Sequence, residues 1–140
     1  MTIAPVPALP LWAALALLAS CGGSSSTTGP NNNPPQPSPN DVNIVVGAST
    51  KGASAFDPDS KTIALAGAAT GTVRWVNIDM SSDGYSTVGV THHIVSNDGT
   101  SFDTGNIQAN DVVSKTLAAG TYPYHCMLHP TMTGTVVVTP

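Results

Sequence analysis

The sequence predicts an all-β domain, a β-sandwich of about seven short strands, beginning near Asp41 and preceded by residues of a different character. Three observations carry that expectation. From Asp41 onward, Thr, Val, Ser and Gly dominate and Glu is absent, so the Ala, Glu, Lys and Leu runs of helical domains are missing. Apolar β-branched runs alternate with turn formers at short, regular intervals. No window shows sustained 3.6-residue apolar periodicity. A length of 140 residues suits one folded domain, and a domain of about 100 residues can bury enough apolar surface to fold without staples.

Residues before Asp41 carry no charged side chain. Leu9 to Ala19 is almost wholly apolar, the length of a signal-peptide core and short for a bilayer span. It ends in Leu18-Ala19-Ser20-Cys21, which resembles the lipobox of bacterial lipoproteins. That resemblance implies a signal peptide over residues 1–20, lipidation at Cys21, and anchoring to a bacterial membrane on its extracytoplasmic, periplasmic side. Met1 to Pro7 has no Lys or Arg, a departure from the usual signal, and an uncleaved membrane helix is the alternative. Gly22 to Asn40 is dense in Pro, Ser, Asn and Gly with no large apolar residue, so residues 21–40 are expected to form a disordered tether.

Residues 41–140 read as a set of strands and turns. Expected strands are Val42–Val46, Thr62–Ala66, Thr72–Ile78, Val88–Ser96, Val112–Leu117, Thr121–Cys126 and Thr135–Thr139. Between them lie Asp57-Pro58-Asp59, Ala66-Gly67, Asp83-Gly84, Asn97-Asp98-Gly99 and Ala119-Gly120, each with turn-forming chemistry. Met80 to Thr87 reads as a solvated insertion or a loop over a site.

Four Lys or Arg, well scattered, cannot neutralise a phosphate backbone, which argues against nucleic-acid binding. No Ser-His-Asp set, paired catalytic carboxylates, phosphate-binding glycine loop or internal repeat stands out, and an enzyme is not expected. The chemistry concentrates in Tyr122-Pro-Tyr-His-Cys-Met-Leu-His-Pro-Thr-Met132. Cys126, His129 and Met132 are spaced three and three between two strands, so a loop closing there can curl the three side chains onto one point. A thiolate, two imidazoles and a weak thioether form the donor set of a mononuclear blue copper centre. A Cys-x-x-His pair alone often means zinc, but zinc sites draw on more Cys and His and have no use for Met here.

The segment resembles the ligand loop of cupredoxins, most like that of small bacterial blue copper proteins of the plastocyanin and amicyanin type. Gly71 to Asn77 is similar to the strand before the first ligand, Val90 to Val95 to the strand that carries it, and Asp98 to Gly105 to the run that follows. The resemblance implies a Greek-key sandwich, one type 1 copper per chain on His92, Cys126, His129 and Met132, and transfer of single electrons as the copper cycles between Cu(I) and Cu(II). It further implies a monomer that docks transiently with redox protein partners, with electrons passing through His129 in an apolar surface patch.

His92 and His93 are adjacent on a strand, so only one can enter the site. Alternation of Val88, Val90, His92 and Ile94 as one apolar face favours His92. His93 is then either a hydrogen-bonding support for the loop or an exposed residue. His125 should point away from the metal, opposite to Cys126. Two alternatives stand beside the electron carrier. One is a periplasmic copper carrier using the same ligands, and the other an enzyme with a second copper drawing on His93 and His125. With Cys21 and Cys126 assigned to lipid and metal, no disulfide is expected.

Overall fold

Strand alternation decides the first half of the core: Val42 and Ile44 are buried while Asp41 and Asn43 are only half-buried, as a pleated strand with one covered face requires. The computed structural model describes residues 35–82 and 86–140. Its strands are β1 (Asp41–Ile44), β2 (Phe56–Asp57), β3 (Ser60–Ala64), β4 (Gly71–Asn77), β5 (Met80–Ser82), β6 (Thr87–Gly89), β7 (His92–Ser96), β8 (Asp103–Ile107), β9 (Val112–Leu117), β10 (Gly120–Cys126) and β11 (Thr133–Thr139). One sheet runs β2-β1-β4-β9 and the other β3-β11-β10-β7-β8, with β5 and β6 forming a separate hairpin. Both sheets are mixed: β1 pairs parallel with β4, and β3 parallel with β11. The expected all-β sandwich is the observed architecture.

Trp75, Phe102, Tyr124 and Phe56 meet between the sheets, with Trp75–Phe102 and Phe56–Tyr124 ring centroids each 4.9 Å apart. Burial pushes the Tyr124 phenol well above its ordinary ionisation range. Gly134 lies opposite Tyr124 across the β10–β11 ladder. A Cβ there would fall 2.4 Å from the Tyr124 hydroxyl, so the aromatic cluster leaves room for glycine alone.

Three expectations change. The single strand over Val88–Ser96 is two strands, β6 and β7, because Val90 donates its N–H to the Asp79 carbonyl at 3.0 Å rather than joining a ladder. Val88 is 62% exposed, so the buried face reduces to His92 and Ile94. β2, β5 and β8 were not expected. They are short, and β8 contains Gly105 at φ 66°, which a propensity reading scores as a turn. Finally, residues 35–40, assigned by composition to the tether, are tied to the domain. The Asn40 carbonyl accepts the Arg74 N–H at 3.0 Å, the Gln36 carbonyl accepts the Arg74 guanidinium at 3.1 Å, and Ser38 N–H donates to Asp41 at 2.7 Å. The apolar run, Cys21 and the tether up to residue 34 lie outside the described residues.

Candidate metal centre

Cys126 is the last residue of β10, fully buried on the core side. The chain then turns back on itself. His129 N–H donates to the Cys126 carbonyl at 3.2 Å, Met132 N–H to the His129 carbonyl at 2.9 Å, and Cys126 N–H to the Met132 carbonyl at 3.0 Å. These local bonds close the loop and leave Met132 fully buried, while Met127 and Leu128 stand about half exposed at 52% and 49%. His92 enters from β7, which pairs with β10 so that Ile94 faces Cys126.

The ligand atoms of His92, Cys126 and His129 all lie within 4.8 Å of one another, and among the described residues this is the one such group of His, Cys and carboxylate side chains. Cys126 Sγ is 3.8 Å from His92 Nδ1 and 3.6 Å from His129 Nδ1. Those separations fit a metal. Ligand atoms about 2.1 Å (nitrogen) and 2.3 Å (sulfur) from one ion, at angles between tetrahedral and trigonal, lie about 3.6–3.8 Å apart. One cysteine and two histidines, with a buried Met132 on the same loop and no further Cys or His in the group, suit copper better than zinc.

Supports surround the thiol. His93 N–H points to Cys126 Sγ at 3.5 Å, the distance of a weak amide–sulfur hydrogen bond, and the His93 carbonyl accepts the Met127 N–H at 2.7 Å. His93 thus touches the site through its backbone, while its imidazole turns to Asp103 at 2.5 Å. His125 turns away from Cys126 and its Nδ1 meets the Asn97 side chain at 2.7 Å. Burial pushes the His92 imidazole below its ordinary value, with Asp79 opposing, which favours the neutral form that can ligate.

Sequence reasoning missed Asp79 and Asn77, both fully buried. Asp79 contacts His92 Nε2 at 2.9 Å. Asn77 gives its side-chain N–H groups to the Val90 and Ile107 carbonyls at 2.7 and 2.9 Å, and its Oδ1 accepts the Asp79 N–H at 2.9 Å. The available signal was a pair of polar residues, Asn77 at the end of β4 and Asp79 just past it, following the buried Trp75 and Val76.

The chain matches no family profile and no curated protein. Among solved structures it is similar to a purple cupredoxin from Nitrosopumilus maritimus, at 24% identity and TM-score 0.55, over 71% of this chain and 98% of that one. The fold is cupredoxin-like. A copper-containing nitrite reductase (NirK) from Thermus scotoductus SA-01 aligns at 26% identity and TM-score 0.53, covering 76% of this chain but 23% of the reductase. An amicyanin mutant in the Cu(I) state aligns at 21% identity over 70% of this chain and 79% of that one, with a TM-score of 0.48. The sandwich brings His92, Cys126 and His129 together at one end, where β7 and the segment from the end of β10 meet.

Proposed function

We propose that the chain is an electron carrier with one type 1 copper, held by His92 Nδ1, Cys126 Sγ, His129 Nδ1 and Met132. The observation that supports this most is the pair of 3.6 and 3.8 Å separations around Cys126 Sγ, with both His92 and Cys126 wholly buried. Bound copper would supply the uptake and release of single electrons. The residues do the rest. Burial of His92, Cys126 and Met132 excludes water, and the N–H of His93 steadies the thiolate. A donor set suited to both copper oxidation states limits rearrangement when charge changes.

His129 is half-buried and lies among exposed Met127, Leu128, Pro130 and Thr131. A small uncharged patch of that kind suits brief docking with redox protein partners, and makes His129 the route by which the electron enters and leaves. Burial of three donors favours retention of the metal over handover to another protein. The Leu18–Cys21 run supports lipidation at Cys21 and a periplasmic, membrane-tethered location.

The test is the copper-loaded chain. Cys126→Ser should abolish the intense visible band that a copper(II)–thiolate bond produces, and a variant that remained coloured would end the proposal. A chain that gives up copper to a chelator faster than it exchanges electrons would point instead to a copper carrier. Cys21→Ala should move the protein from the membrane to the soluble fraction on cell fractionation.

A further inference from the structure

Asp79 presents a problem in electrostatics. Its carboxylate is fully buried, and among the described residues no Lys or Arg forms an ion pair with it. A buried charge of this kind is costly unless its oxygens are met by donors. Two backbone N–H donors and one imidazole nitrogen meet it. Gly47 N–H reaches Oδ1 at 2.6 Å, Ala48 N–H reaches Oδ2 at 3.2 Å, and His92 Nε2 reaches Oδ2 at 2.9 Å.

Gly47 has φ 72° and ψ 24°, the left-handed conformation that glycine adopts readily. A Cβ at that position would have space, its nearest neighbour being Lys51 Cε at 3.9 Å. The conformation, rather than room, therefore asks for glycine there, and it turns two successive N–H groups inward onto the carboxylate. The backbone of Asp79 is fixed in turn by the Asn77 side chain, which spans Val90 and Ile107.

We propose that Asp79 is a positioning residue for the metal centre: seated on the N–H groups of Gly47 and Ala48, it takes the Nε2–H of His92 and leaves Nδ1 bare toward Cys126. An ionised carboxylate only accepts, so the imidazole nitrogen facing it must donate. A neutral imidazole with its proton on Nε2 has its lone pair on Nδ1, the atom 3.8 Å from Sγ. The clamp spans three chain segments and holds His92 in place before any ion arrives. His129 has no carboxylate partner among the described contacts, so the two histidines are held by different means. A carboxylate behind a ligand imidazole also raises its basicity, which favours the more highly charged copper(II) over copper(I). That last consequence rests on the copper reading above; the tautomer does not.

The experiment uses the full chain in two states. In the copper-free chain, long-range proton–nitrogen NMR should find His92 protonated on Nε2 with Nδ1 bare, and Asp79→Asn should erase that preference. In the copper-loaded chain, Asp79→Asn should cost about 10- to 100-fold in affinity for copper(II) relative to copper(I). For a one-electron couple this reads as a rise in midpoint potential of about 59 mV per tenfold. Gly47→Ala, which strains the cradle without touching either side chain, should shift the potential the same way by less. The clamp is overturned if wild-type His92 carries its proton on Nδ1. It is equally overturned if Asp79→Asn folds with tautomer and potential unchanged, because a purely structural carboxylate would alter stability alone. Should Asp79→Asn fail to fold, the wild-type tautomer and Gly47→Ala decide. A chain that binds no copper yet shows the Nε2–H tautomer supports the clamp and sinks the electron-carrier reading instead.

Discussion

Cys126, His129 and Met132 arrive together at the end of β10 and on the loop before β11, whereas His92 is held by residues from two other stretches of chain. The loop closes through its own backbone, with bonds of 2.9 to 3.2 Å among Cys126, His129 and Met132. Its outer residues, Met127 and Leu128, face solvent. The His92 side is dry, and its polar contacts run to Asp79 and from there to Gly47 and Ala48, more than thirty residues away. A local, partly exposed loop can adjust to what it binds. A buried network cannot, because each polar group in it depends on a partner that water will not replace. One half of the centre is therefore adaptable and surface-facing, and the other is rigid.

Removing one histidine from each half tests that contrast most severely. His92→Ala in the copper-free chain leaves a cavity and takes one donor from a buried carboxylate. It should destabilise by about 3 kcal/mol, the lower end for breaking a buried pair because Gly47 and Ala48 still donate. His129→Ala, at a half-exposed loop position, should cost within about 0.5 kcal/mol. Denaturant unfolding of both variants without metal gives the difference directly. Equal losses would erase the distinction between the halves. Both variants should lose the visible copper band, which shows that spectroscopy alone cannot separate them.

The junction of the loop with the core is the next test. Gly134 follows the loop and faces the buried Tyr124 ring. Gly134→Ala puts a methyl where the phenol already is, and overpacking of this kind costs about 1 to 3 kcal/mol. The loss should appear in unfolding midpoints. If the ring yields instead, stability will hold and the loop will be less firmly seated than the structure indicates.

The same contrast governs how much could be read from the residues. Spacing within a loop is a local property, so Cys126, His129 and Met132 were legible as a group from the sequence alone. His92 was legible through alternation with Ile94, although Val88, counted on the same face, is exposed. The sandwich was legible because β-branched runs and turn residues follow the chain order. Asp79 and Asn77 were not, since their roles depend on Val90, Ile107 and Gly47 coming near, and no spacing rule encodes that meeting. The short strands β2, β5 and β8 escaped for the opposite reason. Their pairing is imposed by neighbours rather than by propensity. Lipidation at Cys21 remains a reading of four residues, Leu18 to Cys21.

A third polar region, exposed and local, sharpens the comparison with the smallest expected effect. Asp98, in the turn between β7 and β8, accepts from Ser96 Oγ at 2.7 Å, from the N–H groups of Thr100 and Ser101 at 2.9 Å each, and from the Ser101 hydroxyl. Those bonds, the Ser101 hydroxyl first among them, hold its carboxyl far below its ordinary value of 3.8. Asp103 is lowered in the same direction, first by the Gly105 N–H and then by His93. A depressed carboxylate binds fewer protons folded than unfolded, so its contribution is complete above about pH 4 and fades as pH falls below that. Acid unfolding curves should therefore slope below pH 4 in the wild type and slope less in Asp98→Asn, which keeps an acceptor but cannot titrate. Asp103 leaves part of the slope in place. Because the turn is solvent-exposed and bonded mostly to itself, the tautomer of His92 should stay as it was in Asp98→Asn. A change there would mean that the exposed turn and the buried clamp are one network, and the division between adaptable and rigid regions would have to be redrawn.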